Sequence, residues 1–212
     1  MPSFACSSCG SRFDVAQPSL DRYPGWTPKQ CRNCRPAAAA GGTRRRTSAS
    51  AREEDLTVEQ VLAKHAGGPT DGVFTDGAAD PNPGPGGWGA VYVVGGEVVD
   101  EAAGAEGHTT NNRMELTALI AGYGMVPDGV DTTVWTDSKL CVDTITKWAA
   151  GWARNGWKRK GGEIANLDLV QTLYTMARGR PDVKLRWIKA HAGSRWNEYA
   201  DSLATSYRRA TR

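Results

Sequence analysis

Four carboxylates and one histidine are the residues of this chain best suited to chemistry on a phosphate ester. They are Asp76, Glu115, Asp137 and Asp201, with His191 ten residues before the last acid. Acids so far apart in sequence can converge only through the fold. A cluster of like charges is costly unless cations neutralise it. We therefore expect a divalent-metal site, and phosphoryl-transfer chemistry at that site.

Two of the acids follow runs of residues typical of β-strands. Asp76 comes after the apolar run 73–75 and before a glycine-rich turn, and Asp137 comes after the run 133–136. Glu115 lies within a helical pattern, and Asp201 lies in a second helical pattern near the C-terminus. Acids at two strand ends favour a cluster at one edge of a sheet.

The hydrophobic periodicity from residue 72 onward predicts three strands, then alternating helices and strands, in one mixed α/β domain with three layers. A short helix over 53–66 precedes them. The predicted strands are 73–76, 87–95, 97–104, 131–136 and 183–189, and the predicted helices are 111–125, 138–147, 164–178 and 197–209.

Four segments carry a resemblance to a known family. Residues 75–90 (TDGAADPNPGPGGWGA), 109–119 (TTNNRMELTAL), 134–143 (VWTDSKLCVD) and 187–204 (WIKAHAGSRWNEYADSLA) resemble the bacterial type 1 ribonuclease H family. The resemblance covers about residues 71–210. It implies a five-stranded mixed sheet of order 3-2-1-4-5, with strand 2 antiparallel to its neighbours. It also implies an endoribonuclease that cleaves the RNA strand of RNA–DNA hybrids and leaves 5′-phosphate and 3′-hydroxyl ends.

The same resemblance assigns roles to the acids and the histidine. Asp76 would bridge two Mg²⁺ ions, for which Mn²⁺ can substitute, and Glu115 and Asp137 would complete one coordination shell. Asp201 would support the metal on the nucleophile side, and His191 would shuttle protons or help to release product. Each acid alone is more simply a solvated surface charge. Only the combination within the four motifs outweighs that interpretation.

Further residues are expected to bind substrate. The resemblance places contacts to sugar and phosphate groups at Asn82, Thr110, Asn111 and Asn112, although polar residues at a helix start also cap it. The segment 147–162 resembles the basic handle that grips the DNA strand in bacterial type 1 enzymes. Its candidate residues are Trp152, Trp157, Lys158, Arg159 and Lys160. Part of the tryptophan set must be core, and the cations could be solvated charges on an exposed loop.

Two positions near the acids need separate comment. Lys139 stands where many relatives carry glutamine, which puts the local RNA contact in doubt and could replace it with a phosphate contact. Asn197 is predicted to cap the last helix through its side chain. In the family, the matching residue also steadies the neighbourhood of the metal.

The cysteines suggest a second, smaller module. Cys6, Cys9, Cys31 and Cys34 form two CxxC pairs, a pattern typical of a tetrahedral structural Zn²⁺ site. The alternative is four free thiols. The pattern resembles a bacterial zinc ribbon, whose usual partner is nucleic acid or another protein. Cys141 stands apart, and we interpret it as a buried apolar residue.

These features divide the chain into a zinc-ribbon-like module at 1–35 and a flexible linker at 36–52. A short helix and connector at 53–70 and a catalytic domain at 71–212 follow. The chain has 212 residues, of which 40% are hydrophobic and 23% charged, with a net charge of +3. No apolar run reaches the ~20 residues that cross a bilayer, and no secretory signal is seen. We expect a cytoplasmic monomer without a membrane partner.

Two other functions compete with the hybrid-specific ribonuclease. A DNA-acting relative of the same fold, such as a transposase or integrase, would have three acids but neither the NNRMEL nor the HAG motif; both motifs are present. A catalytically silent adaptor that binds nucleic acid through its zinc ribbon would have lost one of the four acids. All four are intact.

Overall fold

The computed structural model describes residues 2–15, 17, 27, 29 and 55–210. The chain divides into two units, residues 1–53 and 54–212. In the first, β1 (Ser3–Ala5) and β2 (Arg12–Asp14) pair antiparallel. Cys31, Cys34 and the predicted linker 36–52 lie outside the described residues, so the zinc module and the linker remain predictions.

The second unit is built on a five-stranded sheet flanked by helices. After α1 (Val58–Lys64) come the strands β3 (Gly72–Ala79), β4 (Gly84–Val94) and β5 (Glu97–Thr109). The remaining elements are α2 (Asn111–Met125), β6 (Thr132–Thr136), α3 (Lys139–Asp143), a π-helical turn (Thr144–Trp148), α4 (Ala149–Arg154), α5 (Leu167–Gly179), β7 (Val183–Trp187), α6 (Arg195–Ala204) and α7 (Ser206–Ala210).

The strand order is β5-β4-β3-β6-β7, which confirms the predicted order 3-2-1-4-5. The second strand, β4, runs antiparallel to both of its neighbours, as expected. β3 and β7 each pair in parallel with β6. Because α2 and α6 lie in the chain after strands that end at the same side of the sheet, both can deliver side chains there.

Successive residues of β3 point to opposite faces of the sheet. Val73 joins a core that contains Leu116 and Leu119 of α2, here called the α2-face core. Phe74 joins a second core with Trp196 and Tyr199 of α6, here called the α6-face core. The sheet is therefore covered on both faces, each by a helix that carries one of the predicted acids.

Several predicted boundaries were wrong. The first strand does not end at Asp76 but continues to Ala79, so Gly77, which follows Asp76, is a strand residue. The third strand is longer than predicted and reaches Thr109. The predicted helix 138–147 continues as a π-helical turn and α4 to Arg154. The last helix begins at Arg195, two residues before the predicted start.

Within the described parts of the chain, no helix combines the length and the apolar character needed to cross a membrane.

Candidate active site

The register of the central strands brings two of the acids together. Thr75 of β3 pairs with Thr136 of β6 in the parallel ladder. The next residue along each strand is an aspartate, Asp76 within β3 and Asp137 just past the end of β6. Neighbouring strands lie ~4.8 Å apart, so this register alone places the two carboxylates side by side.

Glu115 reaches the same place from α2, because the helix lies unusually close to the sheet. A Cβ atom on Gly77 would overlap the backbone nitrogen of Glu115 and the carbonyl carbon of Met114. Only glycine allows this approach. The hydroxyl of Thr136 donates to Glu115 Oε2 at 3.4 Å and fixes the carboxylate.

Carboxylate oxygens of Asp76, Glu115 and Asp137 all lie within 4.8 Å of one another. Asp76 is only 8% exposed. Burial raises the pKa of Asp76 well above its usual range, and the charges of Glu115, Asp137 and Asp201 raise it further. Burial, followed by the charge of Asp137, likewise raises the pKa of Glu115. Three acids that resist ionising together form a group that a divalent cation would stabilise.

Asp137 is held by two further side chains. Asn197 Nδ2 donates to Asp137 Oδ2 at 3.4 Å, and the indole Nε1 of Trp187 donates to the Asp137 carbonyl at 3.0 Å. Burial raises the pKa of Asp137, while the hydrogen bond from Asn197 and the charge of His191 oppose that rise. The structure thus corrects the expected role of Asn197. It is an interior residue of α6 that contacts Asp137, and the N-cap position belongs to Ser194.

A second group of possible ligands lies along α6. Atoms of His191, Glu198 and Asp201 lie within 4.8 Å of one another. The interaction of Asp201 with the Asp76 carboxyl links this group to the first. His191 is exposed, has a positive φ of 47°, and places Nδ1 3.8 Å from Glu198 Oε2. The four predicted acids and the histidine therefore converge at one side of the sheet.

The chain matches the RNase H family over residues 70–209. The chain belongs to the RNase H family. A ribonuclease H of Rhizobium etli is 48% identical over 133 residues, which are 62% of this chain and 87% of that protein. A ribonuclease H of Methylorubrum extorquens is 45% identical over 137 residues, which are 65% of this chain but 59% of that longer protein.

Among solved structures, LC11-RNase H1 in complex with RNA/DNA hybrid aligns with a TM-score of 0.50 at 25% identity. The alignment covers 66% of this chain and 98% of that one. With the sequence relatives, this similarity makes the chain a type 1 ribonuclease H enzyme. The matched segment begins at residue 70, so α1 and the turn after it lie before the RNase H segment.

The residues at the start of α2 form a connected group. Thr110 is the N-cap, and its hydroxyl accepts a hydrogen bond from the Arg113 backbone N–H, as expected for a cap. Asn111 Oδ1 accepts from Ala79 N at 2.5 Å, and Asn82 Oδ1 accepts from Asn111 N at 3.3 Å. Asn112 Oδ1 accepts from the thiol of Cys141 at 3.6 Å. The RNase H sheet and α2 are thus joined next to the acids.

The predicted handle has a buried side and an exposed side. Trp152 and Trp157 pack against the α2-face core, which confirms that part of the tryptophan set is core. Trp148 is 41% exposed. Lys158, Arg159 and Lys160 are all exposed. Lys139 forms an ion pair with Asp143 at 2.7 Å on the adjoining surface of α3.

Cys141 is buried, as expected, and burial raises the pKa of its thiol to about 12. Such a thiol is a poor nucleophile at neutral pH.

Three residues of the site were not predicted from sequence. Glu198 could have been found, because it precedes Asp201 by three residues and so shares its face of α6. Gly77 was interpreted as part of a turn, and only the packing shows that it admits Glu115. Trp187 carries no signal of its contact with Asp137, which joins residues 50 apart in sequence.

Proposed function

We propose that this chain is an endoribonuclease that hydrolyses the RNA strand of RNA–DNA hybrids and leaves 5′-phosphate and 3′-hydroxyl ends. The observation that carries the proposal is the convergence of Asp76, Glu115 and Asp137, whose oxygens lie within 4.8 Å of one another. Support for the substrate comes from LC11-RNase H1, a relative in complex with RNA/DNA hybrid.

The donors at the site fit Mg²⁺. All are carboxylate oxygens, which Mg²⁺ prefers, and Mn²⁺ favours the same ligands and can substitute. Asp76, Glu115 and Asp137 would hold one ion, and Asp76 with Asp201 would hold a second. Two ions bound by these residues would supply an activated water for in-line attack and would stabilise the leaving oxygen.

The remaining residues of the site position the acids and handle protons. Asn197 holds the side chain of Asp137, and Trp187 holds its backbone carbonyl. Thr136 orients Glu115. His191 is exposed beside Glu198 and Asp201. We assign to it the transfer of protons between the site and solvent, and assistance in product release.

We assign recognition of the RNA strand to the group at the start of α2. The side-chain oxygens of Asn82 and Asn111 already accept hydrogen bonds from backbone N–H groups. Their amide Nδ2 groups donate to no partner among residues 55–210 and are left to donate to 2′-hydroxyl or phosphate oxygens. Thr110 and Asn112 flank them, and Lys139 adds a positive charge that can pair with a phosphate.

We assign the DNA strand to the handle. A cavity of about 150 Å³ lies between the handle and α2, and its lining includes Trp148, Trp152, Arg159, Leu116 and Ile164. The exposed Lys158 and Lys160 flank Arg159 in sequence and add positive charge to the handle. An apolar cavity beside cations suits the sugar–phosphate backbone of a strand that is bound but not cleaved.

The deciding experiment compares three strand-labelled substrates: RNA–DNA hybrid, RNA duplex and DNA duplex, each with Mg²⁺ or with EDTA. We expect cleavage of the RNA strand of the hybrid alone, with Mg²⁺ alone, and a 5′-phosphate on the product. Cleavage of the DNA duplex would instead favour a transposase-like or integrase-like enzyme. Binding of the hybrid without cleavage would favour the silent adaptor.

We further propose that Cys6, Cys9, Cys31 and Cys34 hold one structural Zn²⁺, and that this module binds nucleic acid or another protein. Cys6 lies in a tight turn between β1 and β2, where Gly10 N donates to Cys6 O at 2.8 Å and Gly10 has a φ of 73°. Such a turn suits a CxxC metal knuckle. Metal analysis of the purified full-length chain should find about one zinc per chain, as the Cys₄ set requires. A zinc-free protein would refute the module.

We propose that the enzyme acts in the cytoplasm as a monomer. Size-exclusion chromatography with light scattering would test the oligomeric state, and a dimer mass would refute it.

A further inference from the structure

Residues 55–69, here called the brace, precede the RNase H segment and pack along α6. Val61 is 1% exposed, and Leu56, Val58 and Leu62 pack with it in the α6-face core. Its helix α1 begins with a complete capping box between Thr57 and Gln60. The brace is therefore an ordered part of the domain with its own start signal and its own buried contacts.

The C-terminal part of the brace meets α6 at the helix start. Helices begin with N–H groups that lack partners within the helix. The side chain of Ser194, the N-cap residue, makes no capping hydrogen bond. Instead the Arg195 backbone N–H donates to Gly67 O at 2.8 Å, and Gly67 forms a parallel bridge with Ser194. The brace thus supplies an acceptor for the first N–H group of α6.

The Arg195 side chain also donates a hydrogen bond to a backbone carbonyl of the brace. Its Nε donates to His65 O at 2.7 Å, so one residue of α6 bonds to the brace through both its backbone and its guanidinium group. Gly68 packs directly against Ser194, and a Cβ atom on Gly68 would overlap the Ser194 hydroxyl. At the other end of the brace, Ser202 Oγ donates to Leu56 O at 2.7 Å, next to Asp201.

The contacts between the brace and α6 lie next to residues of the candidate active site. The positive-φ Gly193 immediately precedes the bridged residue Ser194, and the exposed His191 lies three residues before it. Glu198 and Asp201 follow within α6. We infer that the brace is a positioning element for catalysis, and that Arg195 is the positioning residue that orients the His191 loop (residues 190–193) through its contacts with His65 and Gly67.

This inference rests on the proposed hybrid cleavage, and Arg195→Gln in the full-length chain tests it. The variant removes the guanidinium contact and keeps the backbone hydrogen bond. We expect kcat on hybrid to fall roughly tenfold, less than the ~10²-fold that a misplacement of about 1 Å can cost. KM should change less than about twofold, since Arg195 is assigned no substrate contact. Arg195→Lys should recover part of the loss.

The matched control is Lys184→Gln, which removes one positive charge from a surface ion pair with Asp131. It should keep the wild-type kcat and KM. A KM rise in Arg195→Gln without a kcat loss would show that Arg195 binds substrate directly and would overturn the inference. Gly68→Ala disturbs the same contact from the brace side and should also lower kcat.

A double-mutant cycle identifies the route of the effect. If the brace acts through the His191 loop, Arg195→Gln should have little further effect on kcat in a His191→Ala background. Fully additive losses would overturn the assignment.

Hydrogen exchange separates this inference from the proposed function, because it needs no substrate. Amides of residues 190–196 should exchange faster in Arg195→Gln, while those of α2 should not change. Unchanged exchange of residues 190–196 in Arg195→Gln would overturn the inference about the brace, even if the wild type cleaves hybrid. If the wild type does not cleave hybrid, the proposed function is wrong whatever the exchange rates show.

Discussion

The two helices that deliver acids to the site, α2 and α6, are positioned in different ways. α2 has 15 residues and is capped by Thr110, a residue of its own motif, while the adjacent Asn111 ties it to β3. α6 has 10 residues, lacks a side-chain cap, and takes its first acceptor from Gly67. One helix is specified by local sequence and the other by a distant segment. The catalytic geometry therefore depends on both the motifs and the packing around them.

The largest effect is expected at Asp76, where the acids carried by the two helices converge. Asp76→Asn removes the carboxylate that Glu115, Asp137 and Asp201 all face. We expect hybrid cleavage to fall at least ~10³-fold, because groups that act as one unit fail together. Single-turnover assays with Mg²⁺ would measure it, with circular dichroism to show that the fold is retained. Cleavage near the wild-type rate would refute the site.

The same variant tests the electrostatics without any substrate. The pKa of Asp76 is raised in the folded chain, so the contribution of this group to metal-free stability is fully present below its unfolded pKa and is lost as pH rises through the raised value. Asp76→Asn should flatten this fall. Urea unfolding in EDTA from about pH 4 to about pH 8 would show it, since carboxyl groups normally titrate near the lower limit. An unchanged pH slope would contradict the charge cluster.

Two glycines test the close approach of each helix to the sheet. Gly77→Ala would force a Cβ atom against Glu115 N, and Gly89→Ala would force one to within 2.6 Å of Ala200 O on α6. Each should lower the free energy of unfolding by about 1–3 kcal/mol. Gly77→Ala should lower kcat more than Gly89→Ala does, because the backbone of Glu115 itself must move.

The matched control for both is Gly107→Ala, where no atom lies within 4 Å of the new Cβ. It should leave stability and kcat close to wild type. Equal kcat losses in Gly77→Ala and Gly89→Ala would show that α2 is not held more strictly than α6.

The handle packs against the α2-face core, and it is expected to affect substrate binding more than turnover. Replacing Lys158, Arg159 and Lys160 with Ala should raise KM several-fold and reduce the salt slope by up to ~0.9 per lost phosphate contact. The turnover number should change little, since only uniform binding is lost. As a control, a triple variant at Arg178, Lys184 and Arg186, which lie outside the handle and the brace, carries the same charge change. An unchanged salt slope in the handle variant would leave these residues as solvated charges.

The difference between the helices also explains what could be predicted from sequence. The bounds 111–125 were predicted correctly for α2, because its cap and its apolar spacing are local signals. The start of α6 was placed at Asn197 instead of Arg195, because its first acceptor, Gly67, is far away in sequence. Asp76 was placed at a strand end because Gly77 looked like a turn residue, although it serves the contact with Glu115.

The smallest effect concerns the two N-cap residues, which form a matched pair. The Thr110 hydroxyl accepts from Arg113 N, so Thr110→Ala should lower the free energy of unfolding by ~1 kcal/mol, the usual value of such a cap. The Ser194 hydroxyl is buried without a hydrogen-bond partner among the described residues, so Ser194→Ala should be nearly neutral or slightly stabilising. Urea unfolding of both variants would measure the difference. A loss at Ser194 as large as that at Thr110 would show that the Ser194 hydroxyl caps α6.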